Sequence, residues 1–451
     1  MQKETEIKLR VSRDTLAALR KHPLLNARLE RDWTRHALLN QYYDTDQQAL
    51  AQARVALRVR RDGDRYIQTL KSRGHSVAGL SERNEWDWYL EQPVLDVTRL
   101  SDDCWPASLA DLDKHSLKPL FTTDFMREKA DLLWSSAEGS EIRVEAALDL
   151  GSVKAAERED ELCELELELR QGEPVALLNL AIELAADLPL MPCDISKAER
   201  GYRLHEDRQH YSLPLPELDA RDSLDEAVAK LFSHLLGNSQ RLAEHYRFSG
   251  RWTLLVDWLQ HLIDMRALLS SLGQAAPRQS TQALREHLDA LLQDWRTRIQ
   301  QGQQDDSQRQ QAQEAFAAEL CQTRWGLFSL LAARWLLQTE WTLARTARGT
   351  RQGAAPLSRW LPHLLGEEGQ ALRLAQYDHH PLSLLEQHPR MERLLVWLRL
   401  ARKVLDLPET DRLYGELAKL HEMTGSSDDA LAITAQIHTL WGLTPWKVLT
   451  R

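Results

Sequence analysis

Cysteine is scarce in this chain of 451 residues: Cys104, Cys163, Cys193 and Cys321 are all it has. They are widely separated, make no CxxC pair and give no disulfide framework for a chain this long, so reduced structural thiols are expected. Long apolar runs are missing too. No uninterrupted stretch reaches the roughly 18 residues that span a bilayer, and the charged start lacks the apolar core of a signal peptide. A membrane protein is not expected, and the cytoplasm is the default location. Positive charge is not in excess: 57 Lys and Arg against 67 Asp and Glu leave a formal net charge of −10. No overall positive field would gather nucleic acid.

What is present is the make-up of an ordinary folded protein, with 43% hydrophobic and 27% charged residues. The length predicts two or three domains. The texture changes near residues 204 to 222, where the two prolines of "PLPEL" lie among polar residues and suggest an extended connector. The bounds read from this change are 1–203, a linker 204–221, and 222–451. Before the connector, short alternating segments dominate, among them "ALRVRRDGDRYIQTLK", "NEWDWYL", "FTTDFMREKADLLW", "EIRVEAALDLGSVKA" and "LCELELELR". "RDGD" sits between two of them as a hairpin turn should. "SRDTLAALRKHPLL" and "PVALLNLAIELAADL" have helical spacing instead. After the connector, apolar residues recur three and four apart almost throughout, predicting an all-α helical bundle.

In the first half the charges follow the strands. In "MQKETEIKLR", Glu4, Glu6 and Lys8 share one face of a strand. The same holds for Arg58 and Arg60, for Glu85 and Asp87, for Arg127 and Lys129, for Arg143, Glu145 and Asp149, and for Glu164, Glu166 and Glu168; Lys71 closes its own segment. For any one strand, leucines facing a core and glutamates facing water is the simpler reading. The series as a whole is what a barrel with a charged lumen presents, its apolar faces covered by outer helices. Carboxylates at alternate positions can converge on hard divalent cations. Guanidinium and ammonium groups bind phosphate oxygens. A lumen holding both suits a polyphosphate together with its metal.

"ETEIK", followed in order by "LRVR", "TLK", "REK", "ALD", "CELELEL" and "SKAERGY", resembles the CYTH, or triphosphate tunnel metalloenzyme, superfamily over roughly residues 1 to 203. The resemblance implies an α+β domain built on an eight-stranded antiparallel β-barrel, a tunnel in which a triphosphate is cleaved with Mg2+ or Mn2+. It implies metal-binding carboxylates at Glu4, Glu6, Glu164, Glu166 and Glu168, joined by Asp149. It implies phosphate contacts from Lys8, Arg58, Arg60, Lys71, Arg127, Lys129 and Lys197, with Glu85 a further acidic tunnel position. Of these, Glu4, Glu6, Lys8, Asp149 and Glu166 are the expected catalytic group. His36 and His75 show no ligand spacing and are expected to be structural or exposed. The family's substrates are inorganic triphosphate, thiamine triphosphate, nucleotides and RNA ends. An organic substrate would need a site at one mouth, which Trp33, Tyr42, Tyr43, Trp86 or Trp88 could supply. Strand packing is the simpler role for the tyrosines, and contact with outer helices for Trp86 and Trp88.

Past the connector, "LYGELAKLHEMTGSSDDALAI" resembles the closing motif of the CHAD helical domain, with its turn at Gly425 to Asp429, and Arg399, Arg402 and Lys403 stand at helical neighbour spacing upstream. A CYTH part followed by a CHAD-like part resembles bacterial inorganic triphosphatases. In "LQHLIDMRALLSSL", His261 and Arg266 remain, but the paired arginines of that family's polyphosphate surface are leucine or serine. Long-chain polyphosphate binding there should therefore be weak, and a scaffold, dimerisation or targeting role is at least as well supported. The function expected is metal-dependent hydrolysis of inorganic tripolyphosphate. The alternatives are a polyphosphate or nucleotide binding module without turnover and hydrolysis of an organic triphosphate.

Overall fold

The structure is a computed structural model and describes residues 2–72, 74–77, 79–206, 212–377, 379–426 and 429–450. The alternating segments are strands: β1 (Gln2–Arg10), β2 (Thr34–Asp44), β3 (Ala56–Asp62), β4 (Arg65–Lys71), β5 (His75–Val77), β6 (Leu80–Leu90), β7 (Lys118–Ser135), β8 (Glu141–Ala155), β9 (Arg158–Gln171) and β10 (Met191–Pro192). They pair antiparallel in the order β1-β9-β8-β7-β2-β3-β4-β6, and β6 pairs back onto β1, closing an eight-stranded barrel. Closure gives each of these eight strands two partners and leaves the barrel itself no free edge. The short β5 and β10 are additions on β6 and β1.

The expected hairpin is present, with Gly63 at φ 62° between β3 and β4. A two-residue hairpin loop favours this left-handed conformation at its first central residue, and glycine adopts it without a Cβ penalty.

Both faces of the strands are covered. On β1, Ile7 and Leu9 are fully buried on one side, and Glu4, Glu6 and Lys8 are 5–6% exposed on the other. The apolar side of β3, β4 and β6 packs Leu57, Val59 and Leu70 against Leu100, Trp105 and Leu109, with Trp86 and Trp88 against the same cluster. The helix Val175–Ala185 buries Leu177, Leu178, Leu180 and Leu184 over the barrel. The helix Lys197–Glu206 lies on β7, β8 and β9. Gly201 lets it approach closely, since a Cβ there would stand 2.0 Å from the Phe121 ring.

Beyond residue 222 the chain is mostly helical, beginning with Leu224–Ser249, Trp252–Ser271 and Arg278–Gln304. By contacts the chain divides into two compact units. One holds Met1–Ser212 with Gln240–Leu255 and Gln301–Leu337; the other holds Leu213–Ser239, Val256–Gln300 and Gln338–Arg451. Contact units and the bounds read from sequence are thus different divisions: two helical stretches from beyond residue 222 pack with the barrel. In the second unit, tryptophans fill the core, with Trp258 edge-on to Trp295 and Trp360 edge-on to Trp397. Among the described residues, no helix is long and apolar enough to cross a membrane.

Candidate active site

The strand register stacks the charges in rungs around the lumen. Arg10 pairs with Glu164, Glu164 with Asp149, and Asp149 with Arg127. One rung away, Lys8 pairs with Glu166; beyond it, Glu6 pairs with Glu168, and Glu168 with Glu145. Because side chains alternate, one register fixes the facing of a whole strand. The result is a cavity of about 400 Å3 inside the barrel. Twelve of the residues expected from the sequence line it: Glu4, Glu6, Lys8, Arg58, Arg60, Lys71, Glu85, Arg127, Lys129, Glu166, Glu168 and Lys197. Asp149 and Glu164 are fully buried and stand behind the wall.

Lys197 is the link between wall and backing. Ser196 caps the helix Lys197–Glu206 by accepting from the Glu199 N–H at 3.1 Å, which puts Lys197 at the first helical position. Its ammonium lies 2.8 Å from Asp149 and 2.8 Å from Glu166, and also contacts Glu164. Burial works against this charge, but the three carboxylates outweigh it and hold the ammonium well above its ordinary range. Arg127 forks onto Asp149, 2.7 Å from each oxygen, and reaches Glu166 at 2.5 Å.

On the other side of the lumen, Lys71 contacts Glu4 at 2.7 Å and Glu85 at 3.2 Å. Glu6 takes a bond from Arg83 at 2.6 Å and lies 3.4 Å from Lys8. Burial opposes the Glu6 charge, yet Lys8 and Arg83 together hold its pKa down at about 2. Glu4 goes the other way: burial, helped by Glu6 and Glu85, prevails over Lys71 and raises it. Glu168 is pushed up to about 8 by burial; Arg170 opposes this, and the charges of Glu4 and Glu145 reinforce it.

Arg60 differs from the other bases. Its Nε donates to Asn40 at 2.7 Å, and among the described residues it has no carboxylate within ion-pair distance. Burial, with Arg58 and Arg127 close by, lowers its pKa to about 9. The lumen therefore gathers guanidiniums faster than it neutralises them at this point.

Glu145, which the alternation placed on the charged face of β8, lines the cavity, and three further lining residues escaped the sequence pattern: Arg83, Arg170 and Asp62. The signal was available for two of them, since Arg83 is two residues from Glu85 and Arg170 two from Glu168 on their strands. His36, expected to be structural or exposed, lines the cavity and contacts Asp62 at 3.2 Å. Tyr42 combines both proposed roles: it stacks on Phe121 at 4.8 Å and lines the cavity, whereas Tyr43, Trp86 and Trp88 face the outer core. The His75 side chain lies outside the description, as do Ser427 and Asp428 of the Gly425–Asp429 turn. In the helical part, Arg266 is held by Asp289 at 2.6 Å, Arg399 by Asp264 and Arg402 by Asp411. These arginines already have carboxylate partners.

A closed antiparallel barrel with acids and bases interleaved on its inner wall is a tunnel of the CYTH type. The CYTH domain family model matches residues 2–202, and this part of the chain is a CYTH domain. The chain is 31% identical over 165 residues to the inorganic triphosphatase of Haemophilus influenzae, a match covering 37% of this chain and 45% of that protein. It thus spans less than half the length of that relative. Solved structures with a similar fold include the Hippeastrum protein HpAC1, described as having a dominant triphosphatase activity, at 20% identity and TM-score 0.33 over 48% of this chain and all of that one. A Bacillus halodurans adenylate cyclase candidate matches at 22% identity and TM-score 0.27, over 41% of this chain and 90% of its own. At these scores neither bears on activity.

Proposed function

We propose that the tunnel hydrolyses inorganic tripolyphosphate to diphosphate and phosphate, with residues 1–203 as the catalytic part, 204–221 as a connector and the CHAD-like remainder as an accessory, in the cytoplasm. The observation that carries this reading is Arg60, a guanidinium that has no carboxylate partner among the described residues and has the guanidiniums of Arg58, its neighbour on the same strand face, and Arg127 close by. A polyanion is what relieves that repulsion, and arginine forks match phosphate oxygens. The likeness to a curated inorganic triphosphatase supports the same reading.

In this assignment Lys8, Arg58, Arg60, Lys71, Arg127, Lys129 and Lys197 hold phosphate oxygens, and Glu85 orients Arg58 and Lys71. Water attacks a terminal phosphorus, the P–O–P bond opposite breaks, and negative charge spreads over the transferring group, where the ring of bases stabilises it. The carboxylates fit a hard cation. Asp149, Glu164 and Glu166 can each bring one oxygen within 4.8 Å of the others, and Glu164 Oε2 is buried without a hydrogen-bond partner among the described residues. An all-oxygen set of this kind suits Mg2+ or Mn2+, and Glu4, Glu6 and Glu168 complete the acidic side of the lumen. When bound, such a cation supplies charge neutralisation to the phosphate chain.

Phosphate release from tripolyphosphate with Mg2+ or Mn2+, set against ATP and thiamine triphosphate and repeated with Glu6→Ala, is the test. Turnover of tripolyphosphate well above the other two, and its loss in Glu6→Ala, are expected. Turnover that survives the substitution overturns the acidic assignment. A second reading, an organic triphosphate, has Leu38, Ile67 and Tyr89 in its favour, apolar side chains that also line the cavity. ATP or thiamine triphosphate turned over as fast as tripolyphosphate would establish it.

A further inference from the structure

Behind the Asp149–Glu164–Lys197 group lies a second set of charges that the tunnel chemistry does not use. Arg10 and Arg200 are 5% and 0% exposed. Arg10, next on the lumen face of β1 after Lys8, forks onto Glu244, with Nε at 2.8 Å and Nη2 at 2.7 Å from its two oxygens. Glu244 is 1% exposed and belongs to the stretch Gln240–Leu255 that packs with the barrel. Arg200 Nη2 stands 3.6 Å from Glu244 Oε1 and 3.7 Å from Glu164 Oε2, the oxygen without a hydrogen-bond partner. Asp160 is shared: 2.7 Å from Arg203, 3.7 Å from Arg10 and 3.9 Å from Arg200.

The balance is narrow. Three buried guanidiniums, Arg10, Arg200 and Arg203, have two carboxylates of their own, Asp160 and Glu244, and the surplus leans on Glu164. Without the Glu244 charge the surplus doubles, and Arg200 is left with Asp160, which Arg203 already holds at 2.7 Å, and with Glu164 at 3.7 Å. A Glu164 claimed by Arg200 has less negative potential for Lys197 and for a cation. Buried charges of this kind are held by their partners, and removal of one partner shifts the demand onto the next.

We propose that Glu244 is a positioning residue for the tunnel: it holds Arg10 and shares Arg200 with Glu164, which limits the claim of these guanidiniums on Glu164 and so keeps that carboxylate available to the metal-binding group. This gives the helical stretch around residue 244 a part in the tunnel site. The inference rests on the metal role proposed for Glu164, and the experiment separates the two by reading Mn2+ binding without any substrate.

The test is Mn2+ titration of the full-length protein followed by electron paramagnetic resonance, with circular dichroism to establish folding, in wild type, Glu244→Gln and Arg10→Met. Glu244→Gln is expected to weaken Mn2+ binding by roughly 10- to 100-fold, the usual range for loss of a residue supporting metal ligands. Arg10→Met is expected to move it the opposite way, because Arg200 turns to the freed Glu244 and releases Glu164. A merely structural part for Glu244 would weaken binding in both variants, and that result overturns the proposal. Unchanged affinity in a folded Glu244→Gln also overturns it. If Glu244→Gln does not fold, the sign of the Arg10→Met effect decides alone: tighter binding supports the proposal, and unchanged or weaker binding overturns it. If Glu164→Gln leaves Mn2+ affinity at the wild-type level, the metal assignment itself has failed, whatever Glu244 does.

Discussion

Arg60 and Arg127 face the same lumen and should respond to substitution in opposite ways. Arg127 is tied to Asp149 and Glu166 by three short bonds. Arg127→Met leaves Asp149 with Lys197, and Glu166 with Lys197 and Lys8, and should lower stability by up to about 3–5 kcal/mol, the range for a broken buried pair, read as a lower urea midpoint. Arg60 has Asn40 as its partner and two guanidiniums as neighbours. Arg60→Met should therefore leave the folded protein as stable as wild type or more so without phosphate, and raise the KM for tripolyphosphate by about 10- to 100-fold, the loss of one charge-assisted bond. Equal destabilisation by both substitutions would contradict the partnering described for Arg60. Arg60 could be named from sequence because it alternates with Arg58, but its lack of a carboxylate partner depends on which strands β3 meets.

At the scale of elements, one helix and one register decide the site. The helix Lys197–Glu206 delivers Lys197 into the carboxylates, and Gly201 sets how close that helix lies to Phe121. Gly201→Ala would place a methyl group 2.0 Å from the ring. Overpacking of this sort costs about 1–3 kcal/mol, and the helix would have to move outward, carrying Lys197 with it. Lower thermal stability with a raised KM is expected, and Phe121→Leu in the same chain should recover part of both. The spacing of "SKAERG" displays the cap and the glycine, and the "CELELEL" alternation displays the inward glutamates of β9. Neither says that β1 and β9 are neighbours. That pairing brings Lys8 opposite Glu166 from positions more than 150 residues apart.

For the whole molecule, the enclosed charges make stability depend on pH in two windows with opposite signs. Glu6 is held at about 2, below its ordinary 4.5. The unfolded chain takes up this proton first, so the stability Glu6 contributes is present above about pH 4.5 and is lost as pH falls toward 2. Glu168 is raised to about 8 from 4.5. There the folded state holds the proton longer, so stability is greatest below pH 4.5 and declines as pH rises toward 8. Without metal, Glu168→Gln should be more stable than wild type at pH 8.5, with the difference fading by pH 4.5. Urea midpoints across that range measure it, and a constant difference would contradict the shift. A divalent cation bound to the native state alone should raise the thermal midpoint as its concentration rises.

By itself the sequence determined the inner face of each barrel strand, because a two-residue period sends every second side chain the same way whatever the strand's neighbours. It therefore yielded the barrel, its charged lumen and the acids and bases on its wall, and the same rule applied further along each strand would have added Arg83 and Arg170. Only the tertiary structure decided which charges compensate one another. Asp149 and Glu164 stand behind Lys197 rather than on the wall, Arg60 has no acid within ion-pair distance among the described residues, and Arg10 finds Glu244 a distance of 234 residues along the chain. Ionic pairing acts between groups a few ångströms apart in space, and periodicity holds no information about which distant segments the fold brings within that range.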